Sequence, residues 1–285
     1  MLGRRATWST RMMGRLRNLL LGRVPHVTRG HPRWADFERR RSTLGQILDG
    51  GARVDCRPAA DTRTTREPQY ERLLQVQQEI GIGSLGLMTN QVWHEDPRRL
   101  AFILARYKFV AKMLSGYHAV AEVGCGDAFG TRIVQQEVDA VTPYDFDPVF
   151  IRDIRRRQSA KWPLPAQVHD ILEGPLPHQY DAIYTLDVIE HIPAEKEDTF
   201  ICNLWASLAD HGVLIIGSPS LESQAYASLQ SKIGHVNCKS GHALKLLLKH
   251  HFHTVLLFSM NDEVVHTGFY PMAHYLFAIC SDIRR

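Results

Sequence analysis

Three residues capable of acid–base or ligand chemistry stand close together in the chain: Asp187, Glu190 and His191 occupy positions i, i+3 and i+4. On one helical turn that spacing places two carboxyls and an imidazole on one face. Such a face can hold a divalent cation such as Mg²⁺ or Mn²⁺, position a substrate hydroxyl, or act as a base. The alternative is that Glu190 and His191 only order the turn before Pro193. A second chemical signal is Ala121-Glu122-Val123-Gly124-Cys125-Gly126-Asp127-Ala128-Phe129-Gly130, an apolar strand running into a Gly-rich turn that opens a helix. Glycine there lets a ligand approach bare backbone, and a helix N-terminus favours a negative group, so a nucleotide-like ligand is expected. The dinucleotide fingerprint places its third glycine or alanine three residues after the second. Phe129 holds that position and the glycine follows at Gly130, so the dinucleotide pattern fails by one residue.

These groups need a scaffold, and the sequence reads as alternating strands and helices. Asp96–Pro97 starts an amphipathic helix over Pro97–Ser115, carried by Leu100, Ile103, Leu104, Tyr107, Val110, Ala111 and Leu114. Strands are predicted at Ala119–Val123, Ala140–Tyr144, Ala166–His169, Ala182–Leu186, Val213–Ile216, Val255–Phe258 and His274–Ala278. Helical patterns lie around Arg132–Gln136, Val149–Gln158, Glu195–Leu208 and His242–His250. Alternation of this kind implies a parallel sheet with helices on both faces. No helical pattern separates the last two strands, which should pair antiparallel. The fold class is α/β: a doubly wound, mostly parallel, seven-stranded Rossmann-like sheet with an antiparallel last strand.

The order of these elements resembles the class I S-adenosylmethionine-dependent methyltransferases, whose first motif reads acidic-x-Gly-x-Gly-x-x-x-Gly. The resemblance extends over Tyr107–Asp282 and includes the acidic second-strand end Tyr144-Asp145-Phe146-Asp147, the segment Tyr180–His191, and the fifth strand Gly212–Pro219. It implies S-adenosyl-L-methionine as cofactor, with Glu122, Gly124, Cys125, Gly126, Gly130, Asp145, Phe146, Asp170, Ile171 and Leu186 lining its site. Glu122, Gly124 and Gly126 would surround the methionine part, Asp145 would accept both ribose hydroxyls, and Asp170 would meet the adenine amino group. Cys125 reads as packing and not as a nucleophile, and Asp147 as the cap of the following helix. Glu122 stands where many relatives carry Asp. Some methyltransferases of small phenols and RNA ends use an acidic-x-x-Glu-His cluster as a metal site, which extends the interest in Asp187, Glu190, His191 and His235. The cover helix 97–115, with Trp93 and His94 before it, and Ser220–Asn237 would form the walls of the acceptor pocket.

Composition bounds the remainder. The chain has 285 residues, 44% hydrophobic and 22% charged, enough for a packed core and unlike a disordered polymer. Residues 1–70 carry 15 Arg and no Lys for a balance of +9, whereas residues 71–285 sum to −5. Residues 1–70 are therefore expected to be a basic extension: a disordered tail, an organellar targeting segment or mis-called start, or a nucleic-acid-binding arm. Residues 71–285 would be the methyltransferase domain. The five cysteines are widely spaced without a C-x-x-C pair, which suits reduced thiols and a cytoplasmic setting. No apolar run reaches the ~18 residues of a membrane span. Fifteen histidines include a run at His250, His251 and His253 that suits a helix end, and Arg155–Arg157 reads as a solvated helix face. The leading functional expectation is methyl transfer to oxygen or nitrogen of a small-molecule acceptor (a sugar, lipid-linked or phenolic metabolite). The alternatives are an RNA methyltransferase using the basic arm, and a non-catalytic cofactor-binding scaffold. The sequence leaves oligomeric state open.

Overall fold

The computed structural model describes residues 65–284, so the expectations for the basic extension fall almost wholly outside the described residues. A 3₁₀ turn at Pro68–Tyr70 leads into α1 (Glu71–Ile80), α2 (Leu87–Glu95) and the cover helix α3 (Pro97–Met113). There follow β1 (Ala119–Val123), α4 (Thr131–Gln135), β2 (Ala140–Asp145), α5 (Pro148–Arg156), β3 (Gln167–Val168), β4 (Tyr180–Leu186), α6 (Glu197–Ala206) and β5 (Leu208–Pro219). The chain closes with α7 (Leu229–Gly234), α8 (Gly241–His251), β6 (Phe252–Asn261), β7 (Val264–His266) and β8 (Tyr275–Ile283).

One sheet contains all eight strands in the order β3-β2-β1-β4-β5-β8-β6-β7. Strands β3 to β5 run parallel, and β8 inserts antiparallel between β5 and β6. The expected antiparallel ending is thus present, with one correction. An eighth strand, β7, forms a hairpin with β6 in the link read as irregular. Its turn contains Asp262 at φ 49°, and Asp is one of the residues that tolerate the left-handed region.

Alternation along the buried strands feeds two cores. On one face Ile183, Leu214, Ile216 and Leu276 pack with Phe200 and Leu204 of α6 and Leu244 and Leu248 of α8. On the other, Tyr184, Ile215 and Phe277 pack with Val110, Ala111 and Leu114 of α3. Burying each such large apolar side chain stabilises the fold by about 1.5–3 kcal/mol, so α3 is an integral layer over this face of the sheet. Its entry differs from expectation: Asp96 makes no side-chain cap, and its carboxylate instead meets Arg98 Nε at 3.3 Å. Asp147 does cap α5, accepting from the Val149 N–H at 2.8 Å.

Candidate functional site

The Gly-rich loop leaves β1 through two left-handed glycines, Gly124 at φ 77° and Gly126 at φ 52°. A β-carbon on Gly124 would run into the Val188 side chain, and one on Gly126 would lie 2.6 Å from Met88 Sδ. Both glycines are therefore fixed by handedness and by space. The loop does not offer the row of free amides expected of it. The Gly124 and Cys125 N–H groups donate to Tyr144 O, at 2.8 and 3.0 Å. The Gly126 N–H donates to Asp145 Oδ2 at 2.8 Å, and the Phe129 N–H to Asp127 Oδ1 at 3.2 Å. The loop is thereby laced to the end of β2.

Asp145 is buried and its other oxygen accepts from the Asp147 N–H at 2.9 Å. Burial, the larger effect, raises its pKa, while these two amides oppose the rise. Each carboxylate oxygen keeps a further lone pair, enough to accept two hydroxyls. Phe146 beside it is an exposed aromatic, at 69%. Asp170 Oδ1 accepts from the Leu172 N–H at 2.9 Å, and Ile171 is buried just after it. The expected strand before Asp170 shrinks to Gln167–Val168, so Asp170 sits on the connecting loop. Leu186 is buried at the end of β4. This donor set fits an adenosyl cofactor: a ribose-type carboxylate, a flat exposed ring next to it, and side-chain-free backbone at Gly124 and Gly126.

Glu122 lies deeper. It is 1% exposed, and its carboxyl accepts the hydroxyls of Tyr107 on α3 at 2.9 Å, of Tyr184 on β4 at 2.8 Å, and of Thr131 at the start of α4. Desolvation outweighs these three donors and pushes its pKa up to about 7. Gly130 abuts the Tyr107 ring, where a β-carbon would clash. Burial also pushes the Cys125 thiol up, which keeps it protonated.

The three residues spaced as one helical face do not share one. Asp187 takes φ 56°, and the 3₁₀ turn covers only Ile189–His191. Released from the turn, Asp187 receives Arg106 Nη1 from α3 at 2.9 and 2.7 Å. Sequence reasoning missed Arg106, whose guanidinium also lies 3.9 Å from the centroid of the Tyr275 ring. A clue was available: Arg106 falls three residues after Ile103 and four before Val110, on the apolar stripe of the helix. Glu190 is fully buried and no hydrogen bond of normal geometry reaches either oxygen, although the Ser218 hydroxyl is near enough to oppose the rise of its pKa. Burial, then the charge of Asp187, raises its pKa. An orphaned buried carboxyl is costly unless something pairs with it.

What approaches it is a histidine pair. His191 Nδ1 donates to Gly234 O at 2.8 Å, leaving Nε2 with a lone pair. His235 Nδ1 contacts Gln224 Oε1 at 2.9 Å, which places its proton there as well. Desolvation, then His191, lowers the His235 pKa and favours the neutral ring. The two rings meet edge to face with centroids 5.1 Å apart. One ligand atom from each of Glu190, His191 and His235 lies within 4.8 Å of the others. The segment Ser220–Asn237 makes this possible, because the Asn237 N–H donates to Glu190 O at 3.0 Å and draws the His235 loop onto the β4 end. Asp187, the remaining candidate ligand, is held instead by Arg106.

Comparison with known proteins follows this geometry. Residues 121–214 match the family model described as a methyltransferase domain. A comparison with curated protein sequences returned no match. Among solved structures, an S-adenosylmethionine-dependent methyltransferase from Clostridium acetobutylicum aligns at TM-score 0.52 and 9% identity, over 68% of this chain and 97% of that one. The methyltransferase domain of bacterial CtHen1-C aligns at 0.50 and 15%, over 64% and 98%. The N-methyltransferase NodS of Bradyrhizobium japonicum, solved with S-adenosyl-L-homocysteine, aligns at 0.48 and 18%, over 67% and 90%. No helix among the described residues is long and apolar enough to cross a membrane. Residues 121–214 are thus similar to a methyltransferase domain, and the chain shares its fold with the S-adenosylmethionine-dependent methyltransferase of Clostridium acetobutylicum.

Proposed function

We propose that the protein transfers a methyl group from S-adenosyl-L-methionine to an oxygen or nitrogen of a small-molecule acceptor held against His191. The carrying observation is the fixed tautomer of His191: Gly234 O accepts its Nδ1 proton, so Nε2 is the open nitrogen. The cofactor, when bound, supplies an electrophilic methyl on sulfonium, which already holds most of the driving force. The chain's own task is positioning and proton management. Asp145 holds the ribose end, Phe146 and Asp170 border the ring, and Gly124 and Gly126 carry the loop backbone past the methionine part, with Cys125, Gly130, Ile171 and Leu186 shaping the surrounding walls. Glu122 braces the loop through its three hydroxyl contacts. The open Nε2 of His191 receives the acceptor proton.

A second reading concerns the same face and rests on the orphaned Glu190 carboxyl. One carboxylate and two imidazoles would hold a divalent ion, Mn²⁺ more readily than Mg²⁺, whose preferred ligands are oxygens, with the Nδ1 contacts of both rings orienting them. Such an ion would polarise an acceptor hydroxyl. The test is methyl transfer from labelled cofactor to metabolite extracts and RNA, with and without chelator. His191→Ala should lower turnover by about 10²-fold or more while S-adenosyl-L-homocysteine affinity stays within twofold. Loss of activity on chelation, restored by Mg²⁺ or Mn²⁺, selects the metal reading. Full turnover in His191→Ala refutes both, and transfer to RNA in place of metabolites refutes the small-molecule acceptor.

A further inference from the structure

A cavity of about 670 Å³ lies between the α1–α2 connection, residues 127–129, the first turn of α4, the end of α5 and the connection that follows it. Asp127, Ala128 and Phe129 of the Gly-rich loop line it, but none of Gly124, Gly126, Asp145, Asp170, Glu190 or His191 does, so it adjoins the site described above without including the residues assigned to the cofactor. Its size suits a drug-sized ligand. Its walls combine two chemistries. Phe129 and Trp162 supply aromatic surface, while Arg132, Arg156 and Arg157 supply cationic donors. The Arg132 guanidinium lies 6.0 Å and the Lys161 ammonium 5.7 Å from the Trp162 ring centroid. Both are within cation–π range, and neither forms an ion pair among the described residues.

Arg157 departs from the expected solvated face. Its side chain is 14% exposed, held by Asp153 at 2.8 Å and by the Asp127 carbonyl at 2.6 Å, so its position is fixed. Arg156, 76% exposed, reaches Asp153 at 3.0 Å and remains accessible. Asp127 is the one carboxylate on the wall, and its oxygens already accept from Thr89 N and Oγ1 and from Phe129 N. The balance on the wall is therefore positive. Ser159, also on the wall, has a buried hydroxyl without a hydrogen-bond partner. An unpartnered buried donor beside guanidinium groups calls for oxyanion acceptors.

We infer that this cavity binds the phosphate and ring of a nucleotide, either free or at the end of a polynucleotide. Guanidinium groups and the Ser159 hydroxyl would take the phosphate, and Trp162 would stack on the base, an interaction indifferent to base identity. The site is independent of the acceptor pocket and of the residues assigned to methyl transfer.

The test titrates the full chain with AMP, adenosine and inorganic phosphate, by calorimetry and tryptophan fluorescence, in the absence and presence of saturating S-adenosyl-L-homocysteine. AMP should bind at least tenfold more tightly than adenosine or phosphate, unaffected by the homocysteine compound. Arg132→Glu and Trp162→Leu should each weaken AMP binding at least tenfold and leave S-adenosyl-L-homocysteine affinity within twofold, which also reports that the variants fold. Short RNAs ending in a 5′-phosphate or a 5′-hydroxyl separate the two sources. A preference of tenfold or more for the 5′-phosphate, sensitive to Arg132, indicates a polynucleotide end; AMP binding without that preference indicates a free nucleotide. Absence of saturation by AMP and by both RNAs at millimolar concentration overturns the proposal. So does displacement of AMP by S-adenosyl-L-homocysteine, or binding unchanged in both variants.

Discussion

Glu122 offers a direct test of which force governs the buried junction of loop, cover helix and sheet. Its carboxyl is fully enclosed and accepts three hydroxyls, with its pKa raised from 4.5 to about 7. A shift of about 2.5 units corresponds to roughly 3 kcal/mol of differential stability between protonation states. The sign follows from proton binding. The native carboxyl holds its proton more tightly than the unfolded one, so stability falls as pH rises through the window from about 4.5 to 7 and is level above it. Glu122→Gln keeps the shape and cannot ionise. Urea unfolding of both proteins at several pH values between 4.5 and 9 isolates the effect, because other titrating groups cancel in the difference. The native protein should lose roughly 3 kcal/mol relative to the variant across that window, or about 6–12 °C in Tm for a domain of this size. A flat difference would refute the reasoning. So would a wild type that gains stability relative to the variant as pH rises, since the three hydroxyls would then outweigh desolvation and hold the pKa below 4.5.

Three further outcomes follow. Asp145→Asn should weaken S-adenosyl-L-homocysteine binding by about 1.5–3 kcal/mol, measured by calorimetry, because the charge that accepts two hydroxyls is lost. Gly124→Ala should destabilise the domain by about 2–4 kcal/mol in urea titrations, combining a left-handed φ with a collision against Val188. Arg106→Leu should lower turnover and thermal stability together, since it leaves Asp187 unpaired beside buried Glu190; thermal melts should show a loss of about 2–4 kcal/mol.

How far the sequence discloses this molecule depends on whether the signal is local. The bounds of β1 match the expected Ala119–Val123, because an apolar run ending at Gly124 and Gly126 leaves the backbone little choice. The helices α5 and α8 lie within two residues of their expected bounds, each opened by a residue whose side chain accepts an N-terminal amide. The short β7 was hidden because three residues, Val264–His266, carry too little alternation to register. The helices α2 and α7 bury almost nothing and carry no strong periodic apolar stripe to announce them. In the site, residue types were legible and their grouping was not. Spacing put Asp187 with Glu190 and His191, but a left-handed backbone at Asp187 sends it to Arg106, 81 residues away. His235 joins Glu190 and His191 through a backbone bond at Asn237 that no sequence pattern encodes.

The placement of β8 has a consequence for how the molecule reaches its native state. In space β8 separates β5 from β6, pairing Leu214 with Cys280 on one side and Phe252 with Ile283 on the other. The parallel half of the sheet can assemble through β5 from nearby segments, but its inner edge stays open until a strand some 60 residues later arrives. An open edge is the part of a sheet most prone to pairing with another chain, and pairings across such sequence distances form slowly. The β6–β8 ribbon, with β7 hairpinned to its outer side, is thus the piece whose docking ends the period of vulnerability. Pulsed hydrogen exchange should find the β5 amides facing β8 protected in the slowest phase; their protection together with β1 and β4 would show instead that the sheet closes in one step.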